Sequence, residues 1–550
     1  MIRFLVLLLT TIMLMLHLPV TGQIDYTKIN SIVDDQIKGY QPGLAVGIVK
    51  DGVVIYEHYA GYSNLEHEIA VDSDTRFNIA SNAKQFTAFM ILYLEELGKI
   101  DISDDFRKYL PGYFPEIESP ITIGNLLNHS SGIRDFYDLL SLQGDPWWRK
   151  EGLDNKDALK ILKNQQELNF YPGSEHMYSN SNYILLTEVV NKVIDQSFPD
   201  AMTTLFDSLG MPNTRFQTNY MAVISNKALP YSDWGDGVWQ QYPMITNLYG
   251  DGFLFTTLSD QLNWEKAVQN LKTDNLPNEI LMRSQKPIEN SSIEEYGFGL
   301  ELGEFNGKEA LFHAGGTGSY GAYLIRIPSE SVSVVVMTNN GSVWSEGVAK
   351  EILNEVVSFN NEQDYPVMPR VIGAKPELKS LPGDYLLEDE TLIKLYLNEG
   401  KLFRSIYNTE PVEIVHEEGN VFRYATIENL KMVFVKNDKD TYDFSLYLPD
   451  TPVRRAPRLS IENLAQSGKS ELDGTYVNNE VEVEFKLKYR EGSTYEIIMG
   501  GRTFEAEQLR NNWIQMGDYK LNIERDTYGE IAALLLDQNR LRNVRFIKKP

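Results

Sequence analysis

Apolar and polar positions follow different rhythms in different parts of this chain. Ile29, Ile32, Val33 and Ile37 have helical spacing and predict a helix over residues 26–39. Residues 43–62 then carry two β-rich runs around Asp51-Gly52, a strong hairpin signal. Residues 81–98 are apolar on nearly every face and predict a largely buried helix. From 120 to 270, helical stretches alternate with Gly/Pro/Asn-rich loops. Residues 297–338 read as consecutive strands, with a turn at Asn306-Gly307, a glycine-rich link after KEALFHAGG and a second turn at Pro328-Ser329-Glu330. Helical spacing returns over 343–357. Strands at both ends with helices between them predict one antiparallel sheet, built from both ends of the segment, with helices packed on it.

Beyond residue 360 the rhythm changes. A polar, proline-bearing stretch over 361–380 reads as a linker. Short alternating runs then dominate and helical periodicity nearly vanishes. Leu381-Pro382-Gly383-Asp384-Tyr385 recurs as Leu472-Asp473-Gly474-Thr475-Tyr476, each followed by an alternating strand. The repeat divides the tail into two small antiparallel β-barrels, 381–458 and 471–550, with a second linker at 459–470. The fold class is therefore α+β over residues 23–360, followed by two barrels.

Length and composition agree with this. A chain of 550 residues with 42% hydrophobic content has room for several packed cores. The absence of cysteine excludes disulfides, thiolate metal sites and cysteine nucleophiles. A net charge of -26 argues against a nucleic-acid partner, which needs a basic footprint. Arg3, the apolar run Phe4–Val20 and the small residues to Gly22 predict a cleaved signal peptide over 1–22, with the mature chain beginning at Gln23. That implies an exported protein, periplasmic or secreted, with no stable membrane anchor after cleavage.

Four segments carry candidate chemistry. Ser81-Asn82-Ala83-Lys84 opens the apolar helix; at i, i+3 the hydroxyl and the amine share one face. A hydroxyl beside a helix start is also what an N-cap looks like. Tyr178-Ser179-Asn180 leads from a loop into a helix. His313-Ala314-Gly315-Gly316 ends a strand, and its glycines allow a close backbone approach. Leu126–Ile133 (LLNHSSGI) looks like a helix ending in a tight loop. Gly316–Gly321 fits G-x-G-x-x-G, but a strand follows where a dinucleotide loop requires a helix. The chain has no H-E-x-x-H, P-loop or G-x-S-x-G, and its seven histidines are scattered, so no metal and no cofactor is expected.

In this order, the segments resemble the serine β-lactamase and penicillin-binding-protein superfamily, in its class C β-lactamase and D-aminopeptidase-like branch. Ser81-x-x-Lys84 matches the first motif, Tyr178-x-Asn180 the second and His313-x-Gly315 the strand motif. The resemblance spans roughly residues 30–357, and the three-part layout is similar to that of D-aminopeptidases. It implies a β-lactamase/transpeptidase-like fold followed by lipocalin-like barrels. The implied chemistry is a serine hydrolase that forms an acyl-enzyme on Ser81 and acts on a small-molecule or short-peptide amide or ester. Tyr178, partnered by Lys84, is the favoured base; Asn180 holds a substrate amide or orients Lys84. The oxyanion donors implied are the backbone N–H groups of Ser81 and Gly316. His313 stands where classical members carry lysine, so a permanent cation for a substrate carboxylate is missing. The competing class is a non-catalytic peptidoglycan- or peptide-binding protein on the same fold. A further expectation, drawn from the layout alone, is that a barrel sends a loop over the active site.

Overall fold

The computed structural model describes residues 24–549 except 145–151, 236, 272–276, 360–372, 389–390, 407–410, 428–429, 449–452 and 460–468. The signal-peptide reading and most of both linkers lie outside the described residues.

The first unit is built on a six-stranded antiparallel sheet. Its strands are β1 (Leu44–Lys50), β2 (Val53–Ala60), β3 (Glu301–Phe305), β4 (Lys308–Thr317), β5 (Tyr320–Ile327) and β6 (Val332–Thr338), in the order β3-β4-β5-β6-β1-β2. Pairing of β1 with β6, from Leu44↔Thr338 to Lys50↔Val332, joins the two ends of the unit, as the strand distribution predicts. Asp51 and Gly52 both have positive φ, the backbone a two-residue hairpin requires.

Both faces of the sheet are covered, which is why β6 is buried at every position. Helices α1 (Tyr26–Asp34) and α6 (Ser345–Val356) cover one face, packing Ile29, Val33 and Ile352 against Leu44, Val46 and Ile48. Helix α1 ends before Ile37, which lies in the turn that follows. Helices α2 (Lys84–Glu96) and α5 (Leu258–Asn270) cover the other face. A Cβ on Gly47 would come within 2.7 Å of Leu262, so β1 has room for α5 only with glycine there.

A buried ion pair locks α5 to the sheet. Arg326 of β5 donates from Nε and Nη2 to the Glu265 carboxylate, each at 2.7 Å, and Nη2 also donates to Gln85 Oε1 of α2 at 2.8 Å. Trp264 Nε1 donates to the same Gln85 oxygen at 2.7 Å.

The tail forms two eight-stranded antiparallel sheets, with strands in sequence order. The second is a closed barrel, sealed by Tyr476↔Lys548 and Val477↔Ile547. The first is nearly closed: its edges meet through Leu386 N to Pro457 O at 3.1 Å and Leu459 N to Asp384 O at 2.7 Å. The repeated pentapeptide occupies the same place in each. Leu381 and Leu472 are buried, and Tyr385 and Tyr476 donate to their carbonyls at 2.8 and 2.9 Å.

The second barrel is docked on the first unit. Leu139 of α3 (Phe136–Ser141) and Leu142 join the apolar core of the barrel. Gly144 lies against Gly500, where a Cβ would meet the Gly500 carbonyl at 2.3 Å. Buried Arg134 donates to Glu480 at 3.1 Å and to the backbone oxygens of Arg542 and Asn543 at 3.2 Å.

Arg326→Met strands Glu265 as an uncompensated buried charge. The expected loss is about 3–5 kcal/mol, and Glu265→Leu with Arg326→Met should recover much of it. Calorimetric melting of the first unit checks both.

Candidate active site

The nucleophile turn begins with strain. Ala80 has φ +47°, unusual for a residue with a side chain, and its N–H is held by Asn78 Oδ1 at 2.9 Å. Ala80–Ala83 then form a 3₁₀ turn and α2 starts at Lys84. Ser81 thus sits one turn ahead of the α-helix. The cap residue of this turn is Ile79, so Ser81 is not an N-cap. Strand β4 passes close by. A Cβ on Gly315 would meet the Ile79 carbonyl at 2.3 Å, so glycine is what lets the strand lie against the turn.

Lys84 is fully buried, and Nζ has three acceptors: Ser81 Oγ at 3.1 Å, Asn180 Oδ1 at 2.8 Å and the Asp251 carbonyl at 2.6 Å. Burial lowers its pKa to about 8, with the charges of Asp251 and Asp135 opposing that shift. Two of the acceptors cannot donate. A neutral Lys84 amine therefore spends both N–H bonds on Asn180 and Asp251 and presents its lone pair to the Ser81 hydroxyl.

Asn180 begins α4 (Asn180–Val193). Its backbone N and its Nδ2 both donate to Asp135 Oδ2, at 2.7 and 2.9 Å. This fixes which end of the amide faces Lys84, and Asn180 orients the lysine. The LLNHSSGI loop sets the approach to α4. His129 Nδ1 lies 3.2 Å from Ser179 N, Ser131 donates to Asn182 at 2.7 Å, and the His129 ring packs 4.3 Å from the Tyr178 ring.

Tyr178 lies beside this group, its ring centre 4.9 Å from Lys84 Nζ. Its hydroxyl is buried and closes no well-formed hydrogen bond. Burial pushes it well above the usual phenol range, with Ser81 pulling the other way. Tyr178 is thus a protonated phenol at neutral pH, and the Ser81–Lys84 contact is the better proton path.

A cavity of about 410 Å³ opens over these groups, lined by Ser81, Tyr178, Asn180, Asp251, Gly316 and Arg540 among others. A larger cleft of about 1010 Å³ lies between the two barrels and holds none of the proposed catalytic side chains. His313 does not line the active-site cavity. Its Nε2 is 2.9 Å from the Tyr296 hydroxyl and its Nδ1 is 2.6 Å from the Ala314 carbonyl. Burial, followed by the Lys84 charge, lowers it to about 3, so it is neutral. The structure places its ring behind the cavity wall, beside Tyr296. Gly315 likewise acts through the Ile79 contact, while Gly316 faces the cavity. The G-x-G-x-x-G stretch is the β4–β5 hairpin, with Gly316 paired to Gly321.

Asp135, Asp251 and Arg540 also belong to the site and carry no motif of their own. Asp135 and Asp251 fall in or beside segments that the motifs flank. Arg540 comes from the second barrel, in the turn between Ile531–Gln538 and Leu541–Lys548. It pairs with Asp135 at 3.1 Å and Asp138 at 2.8 Å. A barrel turn thus does reach the active site.

A serine and a buried lysine on adjoining turns, beside a strand that ends in glycines, are an arrangement able to activate a serine hydroxyl. The beta-lactamase family model matches residues 29–355. The chain belongs to the beta-lactamase family. It is 28% identical over 312 residues to a D-aminopeptidase of Gluconobacter oxydans, covering 55% of this chain and 56% of that protein. The chain thus spans about half the length of that relative. A D-aminopeptidase of Brucella anthropi is 25% identical over 519 residues, 90% of this chain and 92% of that one. Among solved structures, the octameric penicillin-binding protein homologue from Pyrococcus abyssi superposes with a TM-score of 0.57 and 22% identity over 79% of this chain and 100% of its own. D-amino acid amidase from Ochrobactrum anthropi SV3 does so with a TM-score of 0.50 and 20% identity over 60% and 97%. At these identities the two structures show the fold.

Gly315→Ala should push the strand from the nucleophile turn and misplace the Gly316 N–H. Acylation of Ser81 should fall by roughly 10²-fold, measured by intact mass after fluorophosphonate treatment of folded protein.

Proposed function

We propose that this chain is an exported serine hydrolase that forms an acyl-enzyme on Ser81 and cleaves small amides or short peptides bearing a free amino group, D-amino-acid derivatives foremost. The observation that carries the reading is the buried Lys84 amine, held by two pure acceptors and turned toward Ser81 Oγ at 3.1 Å. Ser81 Oγ attacks the carbonyl carbon while its proton passes to Lys84. The oxyanion is held by the backbone N–H groups of Ser81 and Gly316. The C–N bond breaks, and the leaving amine takes a proton from the Tyr178 hydroxyl, which Lys84 reprotonates. Water then attacks the acyl carbonyl, with Lys84 again accepting the proton; the C–O bond to Ser81 breaks and Lys84 returns that proton to Ser81 Oγ. This assigns the base to Lys84 and leaves Tyr178 as the proton donor, because burial drives their pKa values in opposite directions.

The substrate class follows from charge. His313 is neutral, and the Arg540 guanidinium is paired with two carboxylates. Asp251, at the cavity wall, has Oδ2 on the Tyr137 hydroxyl at 3.1 Å, while Oδ1 has no partner. Burial holds the Asp251 carboxyl above its ordinary range; a substrate ammonium that reaches this oxygen gives it both a partner and a countercharge, which a substrate carboxylate cannot. Preference for the D-configuration comes from the two D-aminopeptidase relatives, and export from the amino-terminal apolar run.

Fluorophosphonate should add to Ser81 and not to Ser81→Ala. The labelling rate should rise through about pH 8 as Lys84 loses its proton, and then level off. Folded protein with no adduct would favour the binding-protein reading. Asp251→Asn should lower kcat/KM for a D-aminoacyl anilide by roughly 10–100-fold, and for the N-acetylated anilide by less than about threefold. Equal losses on both would remove the ammonium assignment.

A further inference from the structure

The site holds more negative charge than its proposed chemistry uses. Asp135 is fully buried and accepts five hydrogen bonds or ion contacts. Oδ1 receives the backbone N–H groups of Tyr137 and Asp138, at 3.0 and 3.3 Å; Oδ2 receives Asn180 N, Asn180 Nδ2 and, at 3.1 Å, Arg540 Nη1. Arg540 is anchored in turn by Asp138, to which Nε donates at 3.0 Å and Nη2 at 2.8 Å. The side chains therefore form an unbroken line from the second barrel to the nucleophile: Arg540, Asp135, Asn180, Lys84, Ser81. Every link is 3.1 Å or shorter.

We propose that Arg540 is a positioning residue for the nucleophile. Carried into the active site by the second barrel, its guanidinium holds Asp135 Oδ2 in place and so fixes the Asn180 amide that aims Lys84 at Ser81. The inference rests on the acyl-enzyme reading above and adds to it a dependence on the barrel.

The argument is one of hydrogen-bond direction. Asn180 serves Lys84 only with its oxygen toward Nζ, and that orientation holds while Asp135 Oδ2 accepts from Nδ2. Without Arg540 that oxygen is held by Asn180 alone, and the amide is free to turn over. Its NH₂ then faces the lysine and competes with Ser81 for the amine lone pair.

The other groups facing Lys84 cannot replace Arg540. From the neighbouring loops these are His129 and Asp251, from the start of α4 Tyr178 and Tyr183, and from β4 His313. Burial keeps both histidines neutral and both phenols protonated. Arg540 keeps its proton throughout, held charged by Asp135 and Asp138. Its positive charge also opposes protonation of Lys84. A lysine at 540 supplies a point charge but cannot span both carboxylates as the guanidinium fork does.

The test is the rate of Ser81 labelling by a fluorophosphonate from about pH 6 to 10, on full-length wild type, Arg540→Gln and Arg540→Lys, with melting curves for each. The expected result is a plateau about tenfold lower in Arg540→Gln and a midpoint raised by about one pH unit, with Arg540→Lys between it and wild type. An Arg540→Gln protein that folds and keeps the wild-type plateau and midpoint overturns the inference. So does a lower plateau with an unmoved midpoint, which marks Arg540 as merely structural. Should Arg540→Gln fail to fold, Arg540→Lys decides by the same two readings. Wild type that is not labelled at Ser81 fails the acyl-enzyme reading itself, a result distinct from either.

Discussion

The structure turns on a lysine held where water cannot reach it. Lys84 is fully buried, and its amine is satisfied by Ser81, by Asn180 and by the backbone of Asp251. Those three acceptors come from the strained turn before α2, the start of α4 and the loop after residue 250. Moving any one of these elements leaves a buried cation short of a partner, a cost of several kcal/mol. The helical region between the strands of the sheet is therefore constrained as a set. Thr87 of α2 extends the same arrangement, donating to the Gly250 carbonyl at 2.7 Å and tying down the loop that carries Asp251.

Around that centre the polar groups are sorted by whether they still have capacity. His313 has both ring nitrogens engaged, and Asn180 has its oxygen on Lys84 and its amide on Asp135. These act by holding other groups. The Tyr178 hydroxyl closes no well-formed hydrogen bond, and Asp251 Oδ1 is buried without a partner. Native proteins rarely leave such groups unsatisfied away from a functional site. The cavity beside them is of a size to admit a small amide.

The tail does two different jobs. The first barrel has its own apolar core, closed around Tyr385 and Phe444. The second shares its core with Leu139 and Leu142 of the first unit and sends Arg540 into the active-site cavity. The repeated Leu-x-Gly-x-Tyr start gives the two barrels the same opening geometry, so their difference in role arises from their surfaces and turns.

What the sequence determined by itself was local or periodic. The hairpin at Asp51-Gly52, the buried α2 and the consecutive strands β3 to β6 follow from turn chemistry and hydrophobic rhythm. The spacing of Ser81 and Lys84 already put hydroxyl and amine on one face, and the tail repeat marked out two barrels. Tertiary structure decided the rest. The proton preferences of Lys84 and Tyr178 depend on desolvation, which belongs to a packed site and not to a tetrapeptide. The turn of His313 away from the cavity depends on Tyr296, which reaches it from outside the motif. Arg540 meets Asp135 across some 400 residues of chain. A contact of that kind has no period, no spacing and no local propensity to record it; it exists because the second barrel buries Leu139 and Leu142 and lands its turn on the site.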